Sequence, residues 1–367
     1  MTPVAEYEAW LTEFLPDDYD ECPERYRFDT DLRRRYQRAA FEAGWLMPQW
    51  PRGEGGRELD PYQAVAIRLA GARRNAPKLV SVQSVGVVAP ALREFGTAEQ
   101  RARFLVPTLR GDIDWALGMS EPGAGSDLAS LSTRAVVSGD RVLVSGQKIW
   151  TTQAHLSQWC LLFCRTDPDA PKHRGISCLI VDMSSPGITV RPIPMGWRHA
   201  DPFCEVFFDE VEVPVENFLG APGHGWQVAM TALNHERDMI WIMNSVEIER
   251  GLRRVARAAA RDGDPGVLVE LGRLATDAAA LRATGMRALG NTLAGQRSPE
   301  FSILKLLGSE SLQRTWALAT EVCGNAVLYD SDLQFDDFDA LGATIYGGTS
   351  EIQRNIIGDR VLGLPRD

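Results

Sequence analysis

The 367-residue sequence has no long apolar run, few histidines and few cysteines. No stretch approaches the roughly 18 apolar residues that a membrane span needs. The longest candidates, such as Trp159–Cys164, are far shorter, so no membrane partner is expected. Six cysteines (Cys22, Cys160, Cys164, Cys178, Cys204 and Cys323) in a chain of this length do not form a disulfide framework. Cys160 and Cys164 fall four apart on one expected strand with no matching histidine cluster. Neither a bridge nor a metal site is read there, and reduced thiols in a cytoplasmic protein are expected. The opening residues MTPVAEYEAW lack a basic segment and an apolar segment, so a secretory signal is not expected. Positive charge is also short: 39 Lys and Arg stand against 49 Asp and Glu, a net −10. That balance disfavours a nucleic acid or other polyanion as partner.

What is present is an ordinary globular mix, 44% hydrophobic and 24% charged, which excludes a mainly disordered chain. At ~150 residues per domain the length holds two or three domains, and the pattern changes twice. Residues 1–113 read as a helical domain. Asp31–Ala43, Pro61–Ala72 and Ala98–Val106 have a helical period, with a break rich in Gly, Pro and Trp at Gly44–Gly56. Residues 114–217 read as a small β-barrel or sandwich domain. Thr133–Val137 and Arg141–Ser145 flank a Ser-Gly-Asp turn as a hairpin. Gln158–Cys164, Ile176–Asp182, Ile188–Ile193 and Cys204–Val211 follow as β-rich runs. Residues 218–367 read as a four-helix bundle. Its first helix spans Gly225–Arg261 and its second Val267–Ala294. The third opens on Ser298-Pro299-Glu300 and runs to about Cys323; the fourth begins near Thr349. The expected fold class is therefore α+β, in the order helices, β domain, helical bundle.

Four features bear on chemistry. The first is the loop Ser120-Glu121-Pro122-Gly123-Ala124-Gly125-Ser126-Asp127. Its glycines and proline make a tight turn whose amides can face an acceptor, but it matches neither common nucleotide-binding glycine motif. The second is Ile149-Trp150-Thr151-Thr152, where an indole beside hydroxyls suits a flat aromatic ligand. The third is Glu236. On an ideal helix it shares a face with Ala229, Ala232, Leu233, Met239, Ile240 and Met243. A carboxylate in an apolar stripe has a raised pKa and is a candidate general base. The fourth is Tyr346-Gly347-Gly348-Thr349-Ser350-Glu351, where glycines precede an N-cap threonine with an acidic first turn. Taken one at a time, each also reads as ordinary structure: a β connection, a core tryptophan, a carboxylate at a rim, a helix cap.

Taken together, MSEPGAGSD (119–127), GQKIWTT (146–152), GWQVAMTALNHER (225–237) and IYGGTSEIQRNIIGDRVLG (345–363) resemble the acyl-CoA dehydrogenase family over nearly the whole chain. The resemblance implies a flavoprotein that removes hydrogens from the α and β carbons of an acyl thioester. It implies FAD contacts from Leu117, Met119, Ser120, Trp150, Thr151, Thr152, Thr349 and Glu351, with the Thr152 hydroxyl near flavin N5. It places Ser126, Asn234, Arg237 and Tyr346 on the substrate side. The partners it implies are an acyl-CoA or acyl-carrier-protein thioester and an electron-transfer flavoprotein or similar acceptor.

Two departures from the family pattern matter. Most members carry the catalytic glutamate just after the tyrosine of the IYEGT motif, and here that position is Gly347. A minority, resembling isovaleryl-CoA dehydrogenase, carry the base on the first bundle helix before an arginine, which here is Glu236. Gly347 retains a backbone N–H that can donate to the thioester carbonyl. The second departure is the missing RxxFG segment after the first bundle helix and the altered motif around Thr320–Asn325. In the family these parts reach a neighbour's FAD. Their loss resembles bacterial two-gene dehydrogenases whose unlike subunits share each flavin. The assembly is therefore expected to be a homodimer, homotetramer or heterotetramer. A biosynthetic carrier-protein dehydrogenase and a non-catalytic subunit stay open as alternatives. Bulky Trp241 and Met243 close to the base point to a restricted acyl cavity.

Overall fold

The computed structural model describes the backbone of residues 1–195, 202–259, 264–296, 298 and 300–365, and their side chains except at 24, 234–239, 327, 331 and 332. Among the described residues five helices come first: α1 (Pro3–Phe14), α2 (Thr30–Glu42), α3 (Pro61–Arg73), α4 (Ala89–Phe95) and α5 (Ala98–Arg110). Seven strands follow: β1 (Trp115–Gly118), β2 (Arg134–Ser138), β3 (Arg141–Thr152), β4 (Trp159–Arg165), β5 (Ile176–Asp182), β6 (Ile188–Pro192) and β7 (Phe203–Pro214). Five more helices close the chain: α6 (Gly225–Ala259), α7 (Pro265–Leu293), α8 (Glu300–Cys323), α9 (Ser331–Ala343) and α10 (Ser350–Ile356). The helix–sheet–helix order is the one expected. No helix among the described residues is long and apolar enough to cross a membrane.

The chain forms two compact units, and one of them comprises Phe28–Arg57 and Pro77–Glu236. Its strands join in one curled sheet in the order β1-β4-β2-β3-β7-β6, with β5 on β4. β2 and β3 are the expected hairpin, turning at Gly139 with φ +62°, a left-handed value that glycine adopts without steric cost. β4 and β5 are apolar at successive positions because both faces are covered. Leu161, Phe163, Cys178 and Ile180 pack with Leu92 and Phe104 of the helices. The alternate residues Cys160, Leu162, Cys164, Leu179 and Val181 pack with Val142, Val144, Val206 and Val213 of the other strands. This is the two-residue period of a strand serving two cores. β3 runs on to Thr152, beyond the expected hairpin, and slips register between Val144 and Gly146 and again between Lys148 and Thr151. Such bulges bend a strand and re-aim its side chains.

The other unit comprises Met1–Arg27, Glu58–Ala76 and Arg237–Asp367. Trp241, Ile248, Leu252 and Val255 of α6, Leu274 and Leu281 of α7, and Leu304 and Trp316 of α8 form its core. α9 was not expected. Its segment is strongly acidic, yet Leu333, Ala340 and Ala343 are buried. Arg250 neutralises the buried Asp336 at 2.7 Å, and Arg27 pairs with the same carboxylate. Trp241 is also not where the sequence put it. It is 2% exposed and lies against Gly285 of α7, where an added Cβ would stand 2.5 Å from its ring. It is a bundle-core residue, while Met243 is 40% exposed. Gly285→Ala is therefore expected to destabilise this unit by about 1–3 kcal/mol through overpacking, read as a lower thermal midpoint. An unchanged midpoint would show that the two helices do not press together there.

Candidate active site

The loop after β1 is held from beneath. Glu121 and Ala124 exchange both backbone hydrogen bonds at 3.0 Å, so Pro122-Gly123 forms a closed turn. The amides of Glu121 and Ala124 serve each other rather than an outside acceptor. The anchor is Glu121 itself, which is 7% exposed. It accepts from the Ser132 and Thr133 amides at 2.6 and 2.8 Å and from the Ser132 hydroxyl at 2.8 Å. Lys148 Nζ, fully buried on β3, donates to Glu121 at 2.9 Å and to the Met119 carbonyl at 3.0 Å. Burial pushes the Glu121 carboxyl up, but the Lys148 ammonium and the hydrogen bonds outweigh it and hold the pKa at about 2. The sequence reading missed this pair, although both residues sit inside the quoted motifs.

Of the predicted flavin contacts, Leu117 lies on β1 and Met119 and Ser120 follow directly on it. The Ile149 amide donates to the Ser120 carbonyl at 3.0 Å, tying this segment to the WTT stretch. Ser126 lies on the exposed rim of the loop, beside Asp127. Lys172 Nζ donates to Asp127 at 3.0 Å.

The WTT stretch is strained. Trp150 has φ +59° and Gln153 φ +54°, left-handed values uncommon for residues other than glycine. Each costs on the order of 1–3 kcal/mol and persists only where surrounding structure imposes it. The Trp150 indole is 56% exposed, with Phe203 edge-on at 6.0 Å. The next residue, Thr151, is fully buried, and its hydroxyl has no hydrogen-bond partner. Thr152 accepts from Gln83 Nε2 at 3.2 Å. An exposed aromatic face close in sequence to the half-buried Thr152 hydroxyl suits a flat heteroaromatic ligand.

On α6, Ala229 and Ala232 of the expected stripe are buried, Leu233 and Ile240 are half-buried and Met243 is 40% exposed, so the face is covered at its start and opens to solvent further along. The side chains of Asn234, Glu236 and Arg237 lie outside the described residues.

The segment before α10 carries the remaining predicted residues. Gly347 and Gly348 take φ +64° and +97°. The Gly347 carbonyl accepts from Gln353 Nε2 at 3.3 Å. Tyr346 is 42% exposed, and buried Lys305, which donates to the Ala343 carbonyl at 2.7 Å, stands 5.7 Å from its ring centre. Thr349 caps α10, accepting from the Ile352 amide at 3.3 Å. Glu351 is exposed; its own amide and the Thr349 hydroxyl hold its carboxyl below the usual range. Thr349, Ser350 and Glu351 line an open cleft of about 510 Å³ with Arg314 and Arg354. The Ser350 hydroxyl is buried and has no partner. Arg314 donates to Asp277 at 2.7 Å and Arg354 pairs with Glu310, which lines the cleft together with Glu351, so the two cations there are matched by carboxylates. The groups of this unit that fit a polar part of FAD are the Thr349 and Ser350 hydroxyls; in the other unit the exposed Trp150 face fits its ring system. Among the described residues no cluster could hold a metal ion.

Comparison with known proteins identifies the family. The family descriptions "Acyl-CoA dehydrogenase, N-terminal domain", "middle domain" and "C-terminal domain" match residues 4–112, 116–211 and 223–362. Acyl-CoA dehydrogenase IpdE1 of Mycobacterium tuberculosis is 36% identical over 99% of this chain and 97% of its own. A solved structure described as the Tcur3481-Tcur3483 steroid ACAD superposes with a TM-score of 0.87 at 29% identity, covering 99% and 97% of the two chains. The ChsE4-ChsE5 complex from Mycobacterium tuberculosis superposes with a TM-score of 0.83 at 30% identity, covering 99% and 97%. The chain belongs to the acyl-CoA dehydrogenase family, a family of generally FAD-dependent oxidoreductases.

Proposed function

We propose that this chain catalyses FAD-dependent α,β-dehydrogenation of an acyl-CoA thioester to the trans-2-enoyl thioester. The observation that carries the reading is the strained WTT stretch, with the exposed Trp150 face and the half-buried Thr152 hydroxyl. When bound, FAD supplies the acceptor for the hydride that leaves the β carbon. Leu117, Met119, Ser120, Trp150, Thr151 and Thr152 hold its ring system, and Thr349 and Glu351 its diphosphate or ribose. Ser126, Asn234, Arg237 and Tyr346 hold the thioester. Glu236 takes the α-proton, and the Gly347 amide donates to the thioester carbonyl as negative charge develops there. Electrons then pass to an electron-transfer flavoprotein or a similar acceptor. The chain is proposed to divide into an N-terminal helical domain (1–113), a middle β domain (114–217) and a C-terminal helical bundle (218–367).

The assembly is proposed to be heteromeric, with a related subunit completing the FAD site. The missing RxxFG segment supports this, and its neighbourhood at 260–263 lies outside the described residues. A solved relative named as a complex of two chains, ChsE4 and ChsE5, supports it further. The purified chain, alone and with the product of a neighbouring gene, is to be assayed for bound FAD and for bleaching by acyl-CoA. Yellow protein that bleaches with acyl-CoA supports the reaction. FAD retained only with the partner supports the heteromer, and full FAD occupancy of the chain alone overturns it. Bleaching by carrier-protein thioesters alone would move the substrate class. Colourless protein under both conditions would end the reading.

A further inference from the structure

Two irregular backbone segments meet at one hydroxyl. The first is the end of β3, where left-handed Trp150 and Gln153 bracket Thr151 and Thr152. The second is a single π-helical turn, Ser84–Val88, which leads into α4 and has Gln83 immediately before it. Wide turns of this kind are rare and gather at functional sites. This one is firmly seated: Ser84 Oγ accepts from the Trp115 amide at 3.0 Å and bonds Ser81 Oγ at 2.8 Å, and all five residues of the turn are buried. Gln83 is therefore presented from a rigid base, and its Nε2 donates to Thr152 Oγ1 at 3.2 Å.

A hydroxyl has one proton and two lone pairs. With the Gln83 amide donating to one lone pair, the Thr152 proton is left for an acceptor outside the protein. We infer that Gln83 is a positioning residue that keeps the Thr152 hydroxyl a donor toward the flavin ring. This rests on the proposed placement of Thr152 beside the flavin.

Replacing Gln83 with leucine or glutamate tests it. Gln83→Leu removes the donor and should slow flavin reduction by substrate a few-fold. Gln83→Glu, when ionised, can only accept. It should capture the Thr152 proton, slow reduction by about tenfold or more, and shift the absorbance band of the bound flavin. That shift should reverse as the pH falls and the introduced carboxyl gains a proton it can donate. Thr152→Val is the companion. If Thr152→Val shifts the flavin band and Gln83→Glu leaves it unmoved at every pH, the inference about Gln83 fails and the placement of Thr152 stands. Equal, pH-independent losses in both Gln83 variants with lower thermal midpoints would show a purely structural bond and also overturn it. If Thr152→Val itself leaves the band unchanged, the placement of Thr152 falls and takes the inference with it.

Discussion

Glu236→Gln is expected to leave FAD bound and to slow substrate-driven flavin bleaching by ~10²–10⁴-fold, the usual worth of a positioned general base. An α-proton of a thioester is a far weaker acid than a free carboxylic acid, so the base must be made stronger. Position 236 lies four and seven residues after Ala232 and Ala229, which share its helical face and are 0% and 1% exposed. The proposed means is loss of hydration, since a carboxylate taken out of water gains affinity for a proton. Glutamine keeps the shape and removes the basicity, so the flavin spectrum and occupancy should match the parent. Rapid-mixing measurement of bleaching with a panel of acyl-CoA thioesters checks this. The panel should run from straight-chain to branched and ring-bearing acyl groups. Bleaching at the parental rate would remove Glu236 from the mechanism.

Lys148→Met is expected to be the most destabilising single change, at ~3–5 kcal/mol, because it strands a buried carboxylate. The thermal midpoint should fall by roughly 10 °C. Glu121→Gln should cost less if glutamine keeps some of the four contacts, and the double variant should recover part of the loss. The pair also sets an acid dependence. Glu121 has a folded pKa of about 2 against an ordinary 4.5. The folded value is the lower one, so its stabilisation is complete above the ordinary value and is lost as pH falls toward the folded one. That linkage is on the order of 3 kcal/mol. Denaturant titrations between pH 6 and ~2 should show the parent weakening across this window and Glu121→Gln weakening much less. Parallel pH curves for the two proteins would show that Glu121 does not carry the effect.

The legible parts of the chain were those in which one element decides its own pattern. The helix cap at Thr349, the hairpin about Gly139 and the apolar runs of β4 and β5 follow from local chemistry and from strand or helix period. The illegible parts depend on residues far apart in sequence. Lys148 meets Glu121 across 27 positions, and a lysine in a strand otherwise reads as a solvent-facing one. α9 hides its apolar positions among aspartates, one of which is buried only because arginines from α6 and the N-terminal segment reach it. The WTT motif located the candidate site, but nothing in its letters tells that Trp150 turns left-handed or that Gln83 would reach Thr152. Trp241 was misplaced because bulk near a presumed base was read as a cavity wall. The small residue opposite it, Gly285, sits on a different helix.

The cysteines have a practical use. Desolvation pushes the thiols of Cys160 and Cys164 up to about 12 and raises that of Cys178 well above its ordinary value. Only Cys22 is exposed, and Cys323 is half-covered. A maleimide dye added to the native protein should therefore modify Cys22 first and leave the four buried sheet thiols, Cys160, Cys164, Cys178 and Cys204, untouched. Their labelling would report on opening of the sheet, so a time course of dye incorporation would clock unfolding of that unit without engineered probes.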